Sequence, residues 1–149
     1  MIRLVLAALF GLLLGAGSED AWPGEGTVSR GALVLDGQVT RVRDGDTIVI
    51  LDPAVSPRPV PVRLRGVAAP ELDEPGGEEA KAWLEQILLG KRVTCRLTGE
   101  TNWDRLAGYC GTYTDIGEAL LAVGHARRCP AFDPDGRYPE GDATLPLPT

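Results

Sequence analysis

Val42-Arg43-Asp44-Gly45-Asp46-Thr47-Ile48-Val49-Ile50-Leu51 is the stretch that decides the fold. A glycine between two aspartates, whose side chains can hydrogen-bond the nearby backbone, signals a tight turn. The residues after it are β-branched or large and apolar, so they suit a strand. Backwards from the turn, residues 38–43 read as the partner strand. Forwards, residues 52–59 hold three prolines and form a loop. Val60, Val62 and Leu64 then alternate with Pro61, Arg63 and Arg65, which puts both arginines on the face opposite the apolar one.

Pro75-Gly76-Gly77 breaks the chain before a helix in which Ala80, Trp83, Leu84, Ile87 and Leu88 form one apolar stripe. Glu78 and Glu79 lie in its first turn, where the helix dipole favours acids, and Gly90 ends it. Residues 93–97 and 106–113 read as two more strands. Asp115 and Glu118 form a capping-box pattern that starts a second helix, with Ile116, Ala119, Leu120 and Val123 facing inward. The order is three strands, a helix, two strands and a helix. Most connections are too short for crossover helices, so five short strands with helices at defined breaks suit a small closed sheet better than a parallel α/β fold and leave its topology open.

Both ends of the 149-residue chain look dispensable for that fold. Residues 1–18 combine Arg3, an apolar run and a closing Gly15-Ala16-Gly17-Ser18, which predicts a cleaved export signal. The run is shorter than the roughly 20 residues a membrane span needs. The mature form is therefore expected free of the membrane, periplasmic or secreted, and monomeric. Residues 130–149 hold five prolines and two glycines, which predicts a flexible tail. The domain is expected over residues 37–129.

Cys95, Cys110 and Cys129 fit an oxidising compartment. They allow one intramolecular bridge, with three possible pairs. The chain has no CxxC, and its one histidine, His125, is too few for a Cys/His zinc site. At the end of the second helix, with no nucleophile beside it, His125 reads as a satisfied or surface residue. The net charge of −6 argues against a protein that coats nucleic acid through bulk electrostatics.

The polar residues that stand out are Asp44 and Asp46 in the turn, Arg63 at the end of a strand, Glu71 in the loop after it, and Arg105 before another strand. Hydrolysis of a phosphodiester calls for these groups: carboxylates for a hard cation and for water, and guanidinium forks for phosphate oxygens. By spacing alone, an Asx turn with solvated arginines is the simpler reading of the same residues.

The larger pattern changes that balance. Val42-Arg43-Asp44-Gly45-Asp46-Thr47 is followed by Val62-Arg63-Leu64-Arg65-Gly66-Val67-Ala68-Ala69-Pro70-Glu71. Asp104-Arg105 then leads into a strand, and residues 115–126 follow as a helix. In that order these segments resemble the staphylococcal-nuclease (thermonuclease-like) family over about residues 38–128. They also resemble an exported branch with cysteines near these positions and a Cys-Pro after the last helix. The resemblance implies an OB-fold barrel and an exported nuclease that acts on DNA or RNA with calcium or another divalent cation. It implies Asp46 as a metal ligand, supported from behind by Asp44, with the Ala69 carbonyl as a further oxygen. It implies Glu71 as the base that deprotonates or orients water, and Arg63 and Arg105 as the phosphate clamp. Arg105 is the looser match. The family's other calcium carboxylate is replaced by Ala68, which motivates the alternative of a weakened OB-fold domain that binds without cutting.

Overall fold

The computed structural model describes residues 33–139. The export signal expected at residues 1–18 and residues 140–149 of the expected tail lie outside them. Five strands close a barrel: β1 (Val34–Asp44), β2 (Thr47–Leu51), β3 (Val60–Leu64), β5 (Arg92–Asn102) and β6 (Arg105–Gly111), in the order β1-β2-β3-β6-β5. Between β3 and β5 come the two-residue β4 (Val67–Ala68) and helix α1 (Gly77–Leu88). Helix α2 (Ile116–Ala122), β7 (Arg127–Arg128) and a short 3-10 helix (Pro130–Phe132) follow β6. The five-stranded OB-like barrel expected from the sequence is the observed one.

β1 is long enough to pair with two neighbours, β5 through residues 34–38 and β2 through residues 38–44. Irregular register between Val39 and Arg41, and again before Asp44, bends the strand round the barrel. β3 and β6 run parallel, Val62 opposite Leu106 and Arg63 opposite Ala107, and this seam closes the cylinder. Leu35, Val39, Val42, Ile48, Ile50, Val62 and Leu64 fill the interior with Val93, Cys95 and Cys110. β5 runs five residues further than the sequence suggested, because Thr101 and Asn102 resume pairing with Leu106 and Arg105 beyond an irregularity near Gly99. There Gly99 takes the positive φ that a side chain disfavours.

Helix α1 buries Ala80, Leu84 and Leu88, while Trp83 and Ile87 pack at the edge of the same core. The Trp83 ring lies 5.5 Å from that of His125, so the histidine is a packed residue. At α2 the Asp115 carboxylate accepts the Glu118 N–H at 3.0 Å, the cap the sequence implied. Cys95 and Cys110 face each other on β5 and β6 and form the disulfide, leaving Cys129 as the free thiol. Among the described residues no helix is long and apolar enough to cross a membrane.

The described part of the expected tail is folded, a correction to the 130–149 expectation. Asp133 and Tyr138 are buried, and residues 129–138 form a strap across β4, β7 and the start of α2. Composition misled here because the strap is held by two residues, the buried carboxylate of Asp133 and the ring of Tyr138, rather than by a run of apolar side chains.

Candidate active site

The Asp44-Gly45-Asp46 turn is an Asx turn, with the Asp46 N–H donating to Asp44 Oδ1 at 3.1 Å. Gly45 is there for close approach. A Cβ on it would sit 2.6 Å from the Ala69 Cβ and 2.7 Å from the Ala80 Cβ, so the loop after β4 and helix α1 both rest on the turn. The turn also aims the Asp46 side chain inward. Its Oδ2 meets Arg63 Nη2 at 2.9 Å and accepts the Ala69 N–H at 2.9 Å, while Oδ1 accepts the Thr47 hydroxyl at 3.4 Å. Burial pushes this carboxyl up to about 7, against the opposing pull of the Arg63 charge.

Arg63 comes from β3, directly opposite Thr47 of β2. Its Nη1 donates to the carbonyls of Leu64 at 2.7 Å and Val67 at 2.9 Å, so the guanidinium is gripped by the turn that follows its own strand. Arg105 enters from the start of β6. Its Nη1 donates to Thr47 Oγ1 at 3.1 Å and lies 3.8 Å from Asp44 Oδ2. Arg105 Nε is buried and without a hydrogen-bond partner among the described residues. A buried unpaired donor is costly unless a ligand meets it. Asp44, Asp46, Arg63 and Arg105 thus converge on one rim of the barrel, with Thr47 as the link between the two arginines. The sequence reading did not single out Thr47, although it sits in the deciding turn.

Glu71 stands apart from this network. It is exposed in the loop after β4, its N–H donates to Glu74 Oε2 at 3.0 Å, and its carboxylate has no ion-pair partner among the described residues. Chain geometry keeps its Cα within about 7 Å of that of Ala69, which touches Asp46. Arg65, read from the sequence as facing outward, is buried instead. It ion-pairs with Glu100 and donates to Thr98 at 3.2 Å, while its N–H donates to the Gly108 carbonyl of β6 at 2.9 Å. Beside these residues lies a pocket of about 290 Å³, walled by Arg63, Leu64, Arg65, Glu100, Thr101, Ala107 and Phe132. The Phe132 ring centre is 5.9 Å from Arg63 Cζ. Sequence reading missed Phe132 because it falls in the stretch taken for a tail.

The calcium that the resemblance implies does not fit the side chains described. Calcium takes about 6–8 oxygen ligands. Asp46 Oδ2 is already engaged by Arg63 and Ala69, the Ala68 side chain brings no oxygen, and Ala69 turns its N–H toward Asp46. Two aspartates facing two arginines also leave no excess negative charge to attract a cation. No group of three His, Cys, Asp or Glu that could hold a metal occurs among the described residues.

Comparison with known proteins agrees with this architecture. "Uncharacterized endonuclease" of Escherichia coli O157:H7 is 29% identical over 94 residues, covering 62% of this chain and 60% of that protein. Protein ParB of Escherichia coli is 38% identical over 78 residues, 52% of this chain and 41% of its own length. An uncharacterized 38.1 kDa protein of Capnoides sempervirens is 36% identical over 74 residues, 22% of its length. The chain therefore spans about 60% or less of these curated relatives. Residues 61–142 match the model of the family described as Staphylococcal nuclease homologue. That match takes in all of β3 but Val60, the Arg63 and Arg105 positions and the strap, more than half of the chain, and the protein belongs to the staphylococcal nuclease homologue family.

Proposed function

We propose that this protein hydrolyses phosphodiester bonds of DNA or RNA, as an exported monomeric nuclease. The observation that carries the reading is the convergence of Arg63 and Arg105 on Thr47, beside Asp44 and Asp46, at one rim of the barrel. Two guanidinium groups on adjoining strands are held in place by Asp44, Asp46 and Thr47 and suit the non-bridging oxygens of one phosphate. In the proposed reaction the Glu71 carboxylate takes a proton from water as the water oxygen attacks phosphorus. The bond from phosphorus to the leaving oxygen breaks, and that oxygen takes a proton from solvent. The arginines stabilise the charge that builds on the phosphoryl oxygens in between, the largest contribution expected of such a site. The name of the Escherichia coli endonuclease relative supports the same reading.

A second reading, a domain that binds nucleic acid without cutting it, is favoured by Ala68 and by the engaged state of Asp46. Purified protein incubated with labelled single-stranded DNA and RNA, in millimolar calcium and separately in chelator, separates the two. Cleavage that falls about a hundredfold or more in Glu71→Gln supports the nuclease. Binding with no cleavage under either condition establishes the alternative.

A further inference from the structure

β4 is two residues long and pairs only with the two-residue β7. A ribbon of that size has no stability of its own, yet β4 carries the contacts that set the site. The Val67 carbonyl receives Arg63 Nη1, and the next residue after β4, Ala69, donates to Asp46 Oδ2. Something outside the ribbon must fix its place.

That something is the strap, and within it one carboxylate. We propose that Asp133 is a positioning residue for the loop 66–71, acting through β7 on the phosphate clamp and on Glu71. Its buried side chain gathers four donors. Oδ2 accepts from Arg128 Nε at 3.1 Å and the Tyr138 N–H at 3.2 Å; Oδ1 accepts from the Arg137 N–H at 2.8 Å and the Tyr109 hydroxyl at 3.4 Å. Arg128 is the β7 residue opposite Val67, and the Cys129 N–H donates to the Gly66 carbonyl at 2.9 Å. Asp133 therefore fixes the strand that fixes β4.

Tyr138 completes the brace from the other side. Its Cε2 would stand 2.5 Å from a Cβ on Gly66 and its Oη 2.2 Å from a Cβ on Gly117, so the ring fills space that both glycines leave open. Its hydroxyl donates to Asp115 Oδ1 at 2.9 Å, which ties the turn after β3 to the first turn of α2. Displacing a catalytic loop by about 1 Å costs on the order of a hundredfold in rate, so this brace is a lever on turnover. The kinetic part of the inference rests on the proposed nuclease activity.

The test compares Asp133→Ala with Val93→Ala, a barrel-core change in β5, in the full chain and well below the melting temperature of each. Asp133→Ala is expected to lower kcat at least about tenfold with KM moving less than about threefold, while Val93→Ala keeps kcat. Amide exchange at Ala69 is expected to quicken by about tenfold or more in Asp133→Ala and to stay slow in Val93→Ala. Unchanged Ala69 exchange in Asp133→Ala, or equal loss of kcat in both variants, overturns the proposal. If the wild type proves to have no turnover, Ala69 exchange still decides the brace independently of the activity. Should Asp133→Ala fail to fold, Asp133→Asn carries the same readouts.

Discussion

Arg63 Nη2 and Asp46 Oδ2 lie 2.9 Å apart at the rim of the barrel, with the Ala69 N–H on the same oxygen. The pair links the turn between β1 and β2, strand β3 and the loop after β4 in one contact, so the ionisation of Asp46 bears on all three.

Stability is expected to fall as pH rises from about 4 to about 7. Burial lifts the Asp46 carboxyl from 3.8 to about 7, so over that range the folded protein holds a proton the unfolded chain has released. Above about 7 both states are ionised and the slope ends. Urea denaturation at pH 4.5 and 7.5 measures this effect, and Asp46→Asn is expected to remove its share of the slope.

Arg105→Ala is expected to lower turnover by about 10²–10³, the usual effect of losing one charge-stabilising donor. Arg105→Lys is expected to restore little of it, because an ammonium cannot reproduce the planar fork that donates to Thr47 while offering further N–H groups to a phosphate. Steady-state kinetics on a short labelled oligonucleotide decides between these outcomes. A fully active Lys variant would contradict the clamp geometry.

These arginines also show how much the sequence disclosed. The turn at Asp44-Gly45-Asp46, the alternation in β3 and the stripe on α1 are local patterns whose periods match their elements, so the barrel and its helices were legible. Arg63 and Arg105 stand out in the sequence at strand ends, but their reading as a pair comes from the family resemblance and not from their spacing. For Arg65 the alternation says nothing of its cover, because Glu100 and Thr98, which bury it, lie more than thirty residues away along the chain. Asp133 and Tyr138 were invisible for a different reason. Their burial depends on Arg128, Asp115, Gly66 and Gly117, distant partners that no local period records.

Gly45→Ala is expected to destabilise the protein by about 1–3 kcal/mol through overpacking. The added methyl would meet Ala69 and Ala80 at 2.6 and 2.7 Å, pushing the loop and α1 off the turn. Thermal melting reads the loss, and an activity assay at low temperature is expected to show a further drop because Ala69 moves away from Asp46.

Ala68→Asp is expected to raise the affinity for calcium. Wild type should bind calcium no more tightly than about 1 mM by isothermal titration calorimetry, and the added carboxylate should improve this at least about tenfold. An ion bound by wild type at micromolar concentration would show that Arg63 readily yields Asp46 to it.

The parallel seam between β3 and β6 bears on when the protein acquires its chemistry. Val62 meets Leu106 from more than forty residues away along the chain, and Arg63 faces Ala107 in the same ladder, two residues from Arg105. Such distant strands come together only after a large loss of chain entropy, so this join belongs to the late and slow part of folding. Until it forms, the two guanidinium groups have no common anion to share. A chain that has not yet closed this seam would lack the paired arginines on which the proposed nuclease activity depends.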